Sequence, residues 1–262
     1  MRDSATVRLK TPGEIDAMAA AGRVAALTIQ ALKAAVAPGV NLLELEQLAK
    51  DTMKGHGARP GLLNYHPGFS PVVYRYATCL SLNDEVIHAE PRDYKLKEND
   101  VIGLDLVAEL DGWFADTAWT ALVGEGAPVA RKLLNVTEKS MWLGIEQCRA
   151  GNTLGHIGGA VQRHVEKNGF HVLREMVGHG VGTAVHEGGL DVANFGRPGS
   201  GRRLEVGMTF AVEPMVSTRS GKVKHRKGDP WAVVTTDGGL GAHFEHTVAV
   251  TADGPRVLTL VG

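Results

Sequence analysis

The stretch Val101–Val123, VIGLDLVAELDGWFADTAWTALV, decides the fold. Asp111-Gly112 is a two-residue turn signal suited to a type I′ connection. Branched and apolar residues run into the turn, and Trp113, Phe114, Thr117 and Trp119 leave it, so the stretch reads as a β-hairpin. With the turn at Asp111-Gly112, Leu110 pairs with Trp113 and Asp105 with Ala118. Asp116 then shares a face with Asp105 as its diagonal neighbour, roughly 7 Å away or less at Cβ. Two carboxylates this close, on strands this apolar, repel each other and lose hydration. A cationic group is expected between them.

Toward the N-terminus, Thr11-Pro12-Gly13-Glu14 is a helix start, with Thr11 as N-cap, Pro12 in the first turn and Glu14 closing a capping box. That helix stops before Pro38-Gly39. Asn41 and Glu44 open a second helix that ends at Gly55-His56-Gly57. Residues 58–75 read as loop, Thr78–Leu82 as a short strand, and Asn83-Asp84-Glu85 as a turn before His88. Beyond the hairpin the plan repeats. Pro128–Arg149 is a long helix, Gly151-Asn152 breaks it, and Leu154–Lys167 is a shorter helix ending at Asn168-Gly169. An offset of 112 residues aligns Gly39 with Gly151, Leu42 with Leu154, Leu45 with Ile157 and Gly57 with Gly169. Strands follow at His171–Met176, Met208–Val216, Trp231–Thr236 and Gly241–Thr251, and the basic run Lys222–Lys227 reads as a solvated turn. The expected architecture is α+β. Residues 1–10 form a loosely held tail, and residues 11–262 form one domain of two related halves (about 11–124 and 125–262), with helices on a curved, mostly antiparallel sheet.

The 262 residues are 44% hydrophobic and 22% charged with a net charge of −1, which argues against electrostatic capture of nucleic acid or membrane. Two distant cysteines, Cys79 and Cys148, indicate no disulfide framework and fit a reducing compartment. The start MRDSATVRLK lacks an apolar signal region, and no run of eighteen apolar residues occurs. A cytoplasmic location is expected.

Four elements join the two aspartates. In GHGVG (178–182) the flanking glycines leave His179 uncrowded. His186 follows seven residues on; strand spacing puts it on the opposite face, so spacing does not place it in the same site. The string HEGGL from His186 is not a zincin helix, because no second histidine stands at the fifth position. Glu213 in MTFAVEPMV and Glu245 in AHFEHTVAV sit in segments too apolar for bystander carboxylates, with no lysine or arginine in either, and Pro214 marks a strand edge or bulge. Four carboxylates and one imidazole exceed what one divalent ion neutralises. Two ions with bridging carboxylates suffice, and an oxygen-rich donor set favours Mn, Fe(II) or Co, with Zn a further option. Two metals sharing a water give hydroxide near neutral pH and polarise a carbonyl. The reaction class this suggests is hydrolysis of an amide or ester.

The strings NDEVIH (83–88), LDLVAELDGWFADTA (104–118), GHGVGTAVHEG (178–188), MTFAVEPMV (208–216) and FEHTVAVT (244–251) strongly resemble the type I methionine aminopeptidases of the pita-bread fold. The resemblance covers about residues 10–260. It implies two pseudo-symmetric halves, and it implies that Asp105 holds one metal, that Asp116 and Glu245 bridge both, and that His179 and Glu213 complete the other. It further implies that His88 contacts the N-terminal region of the substrate and that His186 hydrogen-bonds the scissile peptide. Glu213 is implied as the proton shuttle. Cys79 and Trp231 fall where the family lines its methionine pocket, with Tyr65, Phe69 and Tyr74 as further pocket candidates. There are departures. Ala89-Glu90-Pro91 follows His88 where a glycine and an apolar residue are usual, the 62–76 loop is longer, Val185 stands where phenylalanine is frequent, and His243 stands where glutamine is common.

The implied activity is removal of the initiator methionine from nascent proteins with a small second residue, near the ribosome, by a monomer that binds neither nucleic acid nor membrane. A proline-specific peptidase on the same fold fits less well, since those proteins usually carry a large N-terminal domain and the first helix here begins at Thr11. A pita-bread protein that only binds a partner is marked by lost ligands, and all five positions are filled.

Overall fold

Asp111 (φ 51°) and Gly112 (φ 83°) both take positive φ, the backbone a type I′ hairpin requires. The hairpin forms in the expected register, with Leu110 opposite Trp113, Asp105 opposite Ala118 and Val107 opposite Asp116. The computed structural model describes residues 6–67, 70 and 72–261.

Among the described residues four helices flank the strands: α1 (Pro12–Ala35), α2 (Leu42–Gly55), α3 (Pro128–Ile145) and α4 (Leu154–Lys167). In the first half the strands are β1 (Arg59–Pro60), β2 (Thr78–Leu82), β3 (Glu85–Ile87), β4 (Val101–Leu110) and β5 (Trp113–Leu122). In the second half they are β6 (His171–Val172), β7 (Val177–Gly180), β8 (Glu187–Ala193), β9 (Thr209–Val212), β10 (Met215–Ser217), β11 (Val223–His225), β12 (Val233–Thr235), β13 (Gly241–His243), β14 (Glu245–Thr251) and β15 (Gly254–Val257).

The expected caps form. Thr11 and Asn41 each close a capping box, with Glu14 and Glu44 reaching back to the cap N–H. Thr153 does the same with His156. The repeat holds at this level: α2 and α4 are both 14 residues long and begin 112 residues apart, each one position after its cap. The main sheet runs β1-β4-β5-β14-β9-β7-β8, all antiparallel, with β2 on β4 and β15 on β14. The two halves meet where β5 pairs with β14, and β4 and β9 take equivalent places on either side. Helices α1 and α2 bury Val24, Ile29, Leu32, Leu45 and Met53 against Leu80, Ile102, Leu104 and Leu106. Helices α3 and α4 bury Leu133, Met141, Ile157 and Val161 against Phe210, Val212 and Val248. Burial of this kind stabilises by about 25 cal/mol per Å² of apolar surface. Trp119 packs against both clusters and seals the seam. Helix α1 is long and apolar enough by composition to cross a membrane, yet it lies across β4 and β5 and is a core helix.

Several expectations need correction. The long helix ends at Ile145, not Arg149, and residues 146–149 turn instead, with Asn152 Nδ2 donating to the Gln147 carbonyl. The expected strand 208–216 is interrupted at Glu213-Pro214, because proline has no N–H to give the ladder. The expected strand 241–251 is interrupted at Phe244 beside it. Of residues 171–176 only His171–Val172 pair, and of 231–236 only Val233–Thr235. Arg59–Pro60 pairs with β4, and Tyr65 bridges to Tyr74, within the expected 58–75 loop. The basic run is no simple turn. It holds β11, and Arg226 and Arg92 both pair with the buried carboxylate of Glu85. The tail is also tied down from residue 7 on: Val7 packs on the core, and Lys10 is buried in an ion pair with Glu187.

Candidate metal centre and substrate cleft

The hairpin register places the site. Cys79 lies opposite Asp105, Asp105 opposite Ala118, and Ala118 opposite Glu245, one row across β2, β4, β5 and β14. Directly opposed residues point to the same side of a sheet. Ala118 is the small member of the row, so no bulky side chain stands between Asp105 and Glu245. Asp116 stands two residues along on that face. Glu213 enters from the interruption that follows β9, next to Val212, which pairs with His246. Each half thus supplies two carboxylates to a point above the seam.

These side chains line one cleft of about 780 Å3 with His88, His179, His186, Trp231 and Val185. His179 Nδ1 faces the Gly180 carbonyl at 3.1 Å, which leaves its Nε2 lone pair toward Asp116 Oδ2 and Glu213 Oε1, each 3.6 Å away. Burial holds His179 down to a pKa of about 4, so it is a neutral imidazole at pH 7. Asp105 is pushed up to about 6, first by burial, with Glu213 adding to the push. Asp116 and Glu245 are raised well above the ordinary carboxylate range, first by burial and then by the other acids. Asp116 Oδ1 and Glu245 Oε1 are buried without a hydrogen-bond partner.

Ligand-type atoms of Asp116, His179 and Glu245 lie within 4.8 Å of one another, and so do those of Glu213, His243 and Glu245. Asp105 belongs to neither group and faces the cluster from the next position along the row. The donor set fits divalent cations: buried acids that cannot all stay charged unaided, orphaned oxygens, and the neutral imidazole of His179. Four of the five expected ligands fall in these groups. His243 is the member that reading the sequence did not place there; its signal was an imidazole two residues before a buried glutamate, on the same face of a strand.

His186 reaches the cleft despite its spacing, with its ring centroid 3.8 Å from that of His179. Tyr65 stacks on it, and the Tyr65 hydroxyl lies 2.8 Å from His186 Nδ1. Burial and the neighbouring His179 depress His186 to about 3. His88 takes φ 63°, a strained conformation for a non-glycine residue. It is held by its neighbour: the Ala89 carbonyl accepts from Leu80 N–H and Tyr74 Oη, and the Ala89 N–H donates to Ser81 Oγ. Burial lowers His88 to about 4. Beside these, Leu62, Tyr74, Cys79, Val107, Val185 and Trp231 form an apolar cluster opening on the cleft. Tyr74 meets Trp231 edge to face at 5.3 Å. Burial raises Cys79 well above the usual thiol range, so it acts as a small apolar lining residue, not a nucleophile. Phe69 lies outside the described residues.

Buried acids and neutral imidazoles gathered on one face of a curved antiparallel sheet, beside an apolar pocket, define a metal-dependent hydrolase. The chain belongs to metallopeptidase family M24, whose family model matches residues 16–252, and within it to the methionine aminopeptidases. It is 43% identical to the methionine aminopeptidase of Clostridium perfringens over 97% of this chain and 98% of that one. Methionine aminopeptidase 1 of Bacillus subtilis is also 43% identical, over 96% and 98%. Among solved structures, the methionine aminopeptidase of Thermotoga maritima superposes with a TM-score of 0.92 at 37% identity, covering 97% of this chain and all of that one. The fold is therefore the pita-bread fold, and the protein is a metalloaminopeptidase that uses divalent metal.

Proposed function

We propose that the protein removes the initiator methionine from nascent polypeptides whose second residue is small. The observation that carries this reading is the apolar pocket of Leu62, Tyr74, Cys79, Val185 and Trp231 directly beside the buried carboxylate–imidazole cluster. An unbranched thioether side chain fits such a lining. Asp105, Asp116, His179, Glu213 and Glu245 would hold two divalent ions, Mn, Fe(II), Co or Zn. Asp116 and Glu245, each buried with an oxygen that lacks a hydrogen-bond partner, would be the pair shared between the two ions. Bound there, such ions lower the pKa of water and polarise a carbonyl.

The chain's own groups do the rest. Glu213 takes a proton at a carboxylate oxygen and returns it to the leaving amine. Tyr65 donates to His186 Nδ1, which fixes the proton of neutral His186 on Nε2. That N–H donates to the oxygen of the scissile peptide as negative charge gathers on it. His88, held in its strained backbone, contacts the N-terminal region of the substrate. Cys79 and Trp231 wall the methionine side chain. The partner is the N-terminus of a nascent chain near the ribosome, met by a cytoplasmic monomer with no call on nucleic acid or membrane.

The test is hydrolysis of Met-Ala-Ser against Ala-Pro peptides, with Mn or Co added and with chelator. Metal-dependent release of methionine, abolished by chelator, is expected. Preference for the Ala-Pro bond points instead to a proline-specific peptidase, and no turnover with any metal to a binding module.

A further inference from the structure

His243 ends β13 two residues before Glu245, and its backbone is gripped at both polar groups by one side chain. Thr120 Oγ1 donates to the His243 carbonyl at 2.7 Å, and the His243 N–H donates to the same Oγ1 at 2.9 Å. The residue is 4% exposed. Its Nε2 lies 3.3 Å from Glu213 Oε2 and 3.9 Å from Glu245 Oε2, yet makes no hydrogen bond with either. A buried imidazole nitrogen without a hydrogen bond calls for an explanation. Atoms bound at about 2.1 Å to a common ion lie roughly 3 to 4 Å from one another. Both separations fall in that range.

The two ligand groups are built alike. One holds Asp116, His179 and Glu245, and the other holds Glu213, His243 and Glu245. They share Glu245, and each contains one imidazole. The two imidazoles come from different segments, His179 from β7 and His243 from β13, so neither position duplicates the other by local sequence.

We propose that His243 is itself a metal ligand, so that each of two ions in the centre carries one imidazole. The proposal rests on the reading of this cluster as a two-metal centre. Its consequence is selectivity. Imidazole suits Co, Fe, Ni and Zn, whereas carboxylate-only surroundings suit Mn and Mg. The side chain at position 243 therefore tilts one of the two positions away from Mn.

The test is X-ray absorption on the full chain loaded with two equivalents of cobalt, where multiple scattering counts imidazoles. About one imidazole per cobalt is expected in the wild type and about half that in His243→Gln. In calorimetric titrations, His243→Gln is expected to weaken cobalt at one of the two positions by more than about 10-fold and manganese by less. A wild-type count of about half an imidazole per cobalt, or a count unchanged by the substitution, overturns the proposal and leaves the metal centre standing. A wild type that binds no cobalt overturns both. The wild-type count decides the matter even where the variant does not fold.

Discussion

The rings of His179 and His186 lie 3.8 Å apart between centroids, although strand spacing assigns them to opposite faces. Strand β7 ends at Gly180, and Gly180 pairs with Glu187, the first residue of β8, across a shifted register. Glu187 then closes the intervening loop by accepting from Thr183 N–H at 2.7 Å. The loop turns His186 back over His179. With Nε2–H as its donor, His186→Ala is expected to lower kcat roughly 10²- to 10³-fold, the usual cost of one oxyanion donor. Metal stoichiometry should stay unchanged. Tyr65→Phe removes the Nδ1 partner and should lower kcat by about 10-fold, the worth of one strong hydrogen bond. Loss of metal from His186→Ala would show that its role is misassigned.

Asp116 lies on β5 two residues before Ala118, the residue that pairs with Glu245 of β14 across the seam between the halves. Asp116→Asn and Glu245→Gln keep the shape and remove a bridging charge. Metal affinity is expected to fall by more than about 100-fold, beyond what losing an outer hydrogen-bond partner costs, and activity with it. Equilibrium dialysis with manganese measures the first. Full activity in either variant contradicts the bridging assignment.

Lys10 is nearly inaccessible in its ion pair with Glu187, the residue that closes the His186 loop. Lys10→Met leaves the carboxylate without its cation. A cost of about 3 kcal/mol is expected for breaking a buried pair, a fall in Tm of roughly 6 to 12 °C. An unchanged Tm means that the pair is solvated in solution.

Without metal, stability should depend on pH in a definite direction. Burial lifts Asp105 to about 6 and Asp116 and Glu245 well above their ordinary range. Burial lowers His88 and His179 to about 4 and His186 to about 3. A raised acid contributes stability that is complete below its ordinary pKa and lost as pH rises through its folded one. A lowered histidine contributes stability that is complete above its ordinary 6.5 and lost as pH falls toward its folded value. The two sets oppose each other on the acid side. Above 6.5 the histidines have finished and the raised carboxyls have not. Thermal melts in chelator are therefore expected to show Tm falling as pH rises above about 6.5, with added manganese reversing the fall. A rising Tm over that window contradicts the burial of uncompensated acids.

Trp231 walls the apolar pocket and meets Tyr74 edge to face. Trp231→Ala removes that wall. Loss of about 1.5 kcal/mol of apolar contact raises KM for Met-Ala-Ser by roughly 10-fold, with kcat less affected. An unchanged KM places the methionine side chain elsewhere.

What could be read from the sequence was what is local. The Asp111-Gly112 turn fixes the register of β4 on β5, and the row Cys79–Asp105–Ala118–Glu245 follows from it once β14 is docked. Capping boxes at Thr11 and Asn41 likewise lie within four residues. What was not legible depends on contacts far apart in the chain. His186 enters the site through a loop closed by Glu187 and Lys10, and no periodicity encodes that. Most of the Lys222–Lys227 run is exposed as expected, but Arg226 turns toward Glu85, which lies on another strand and could not be paired with it from the sequence. Glu213 and Phe244 interrupt their strands side by side, the Phe244 N–H facing the Pro214 carbonyl at 3.5 Å, which sets Glu213 and His243 together.

Diffraction at the manganese edge, from crystals grown with the metal in excess, tests the centre most directly. Two anomalous peaks are expected among Asp105, Asp116, His179, Glu213 and Glu245, with Asp116 and Glu245 touching both. Carboxylates that point apart, or that meet over an arginine with no peak between them, would contradict it.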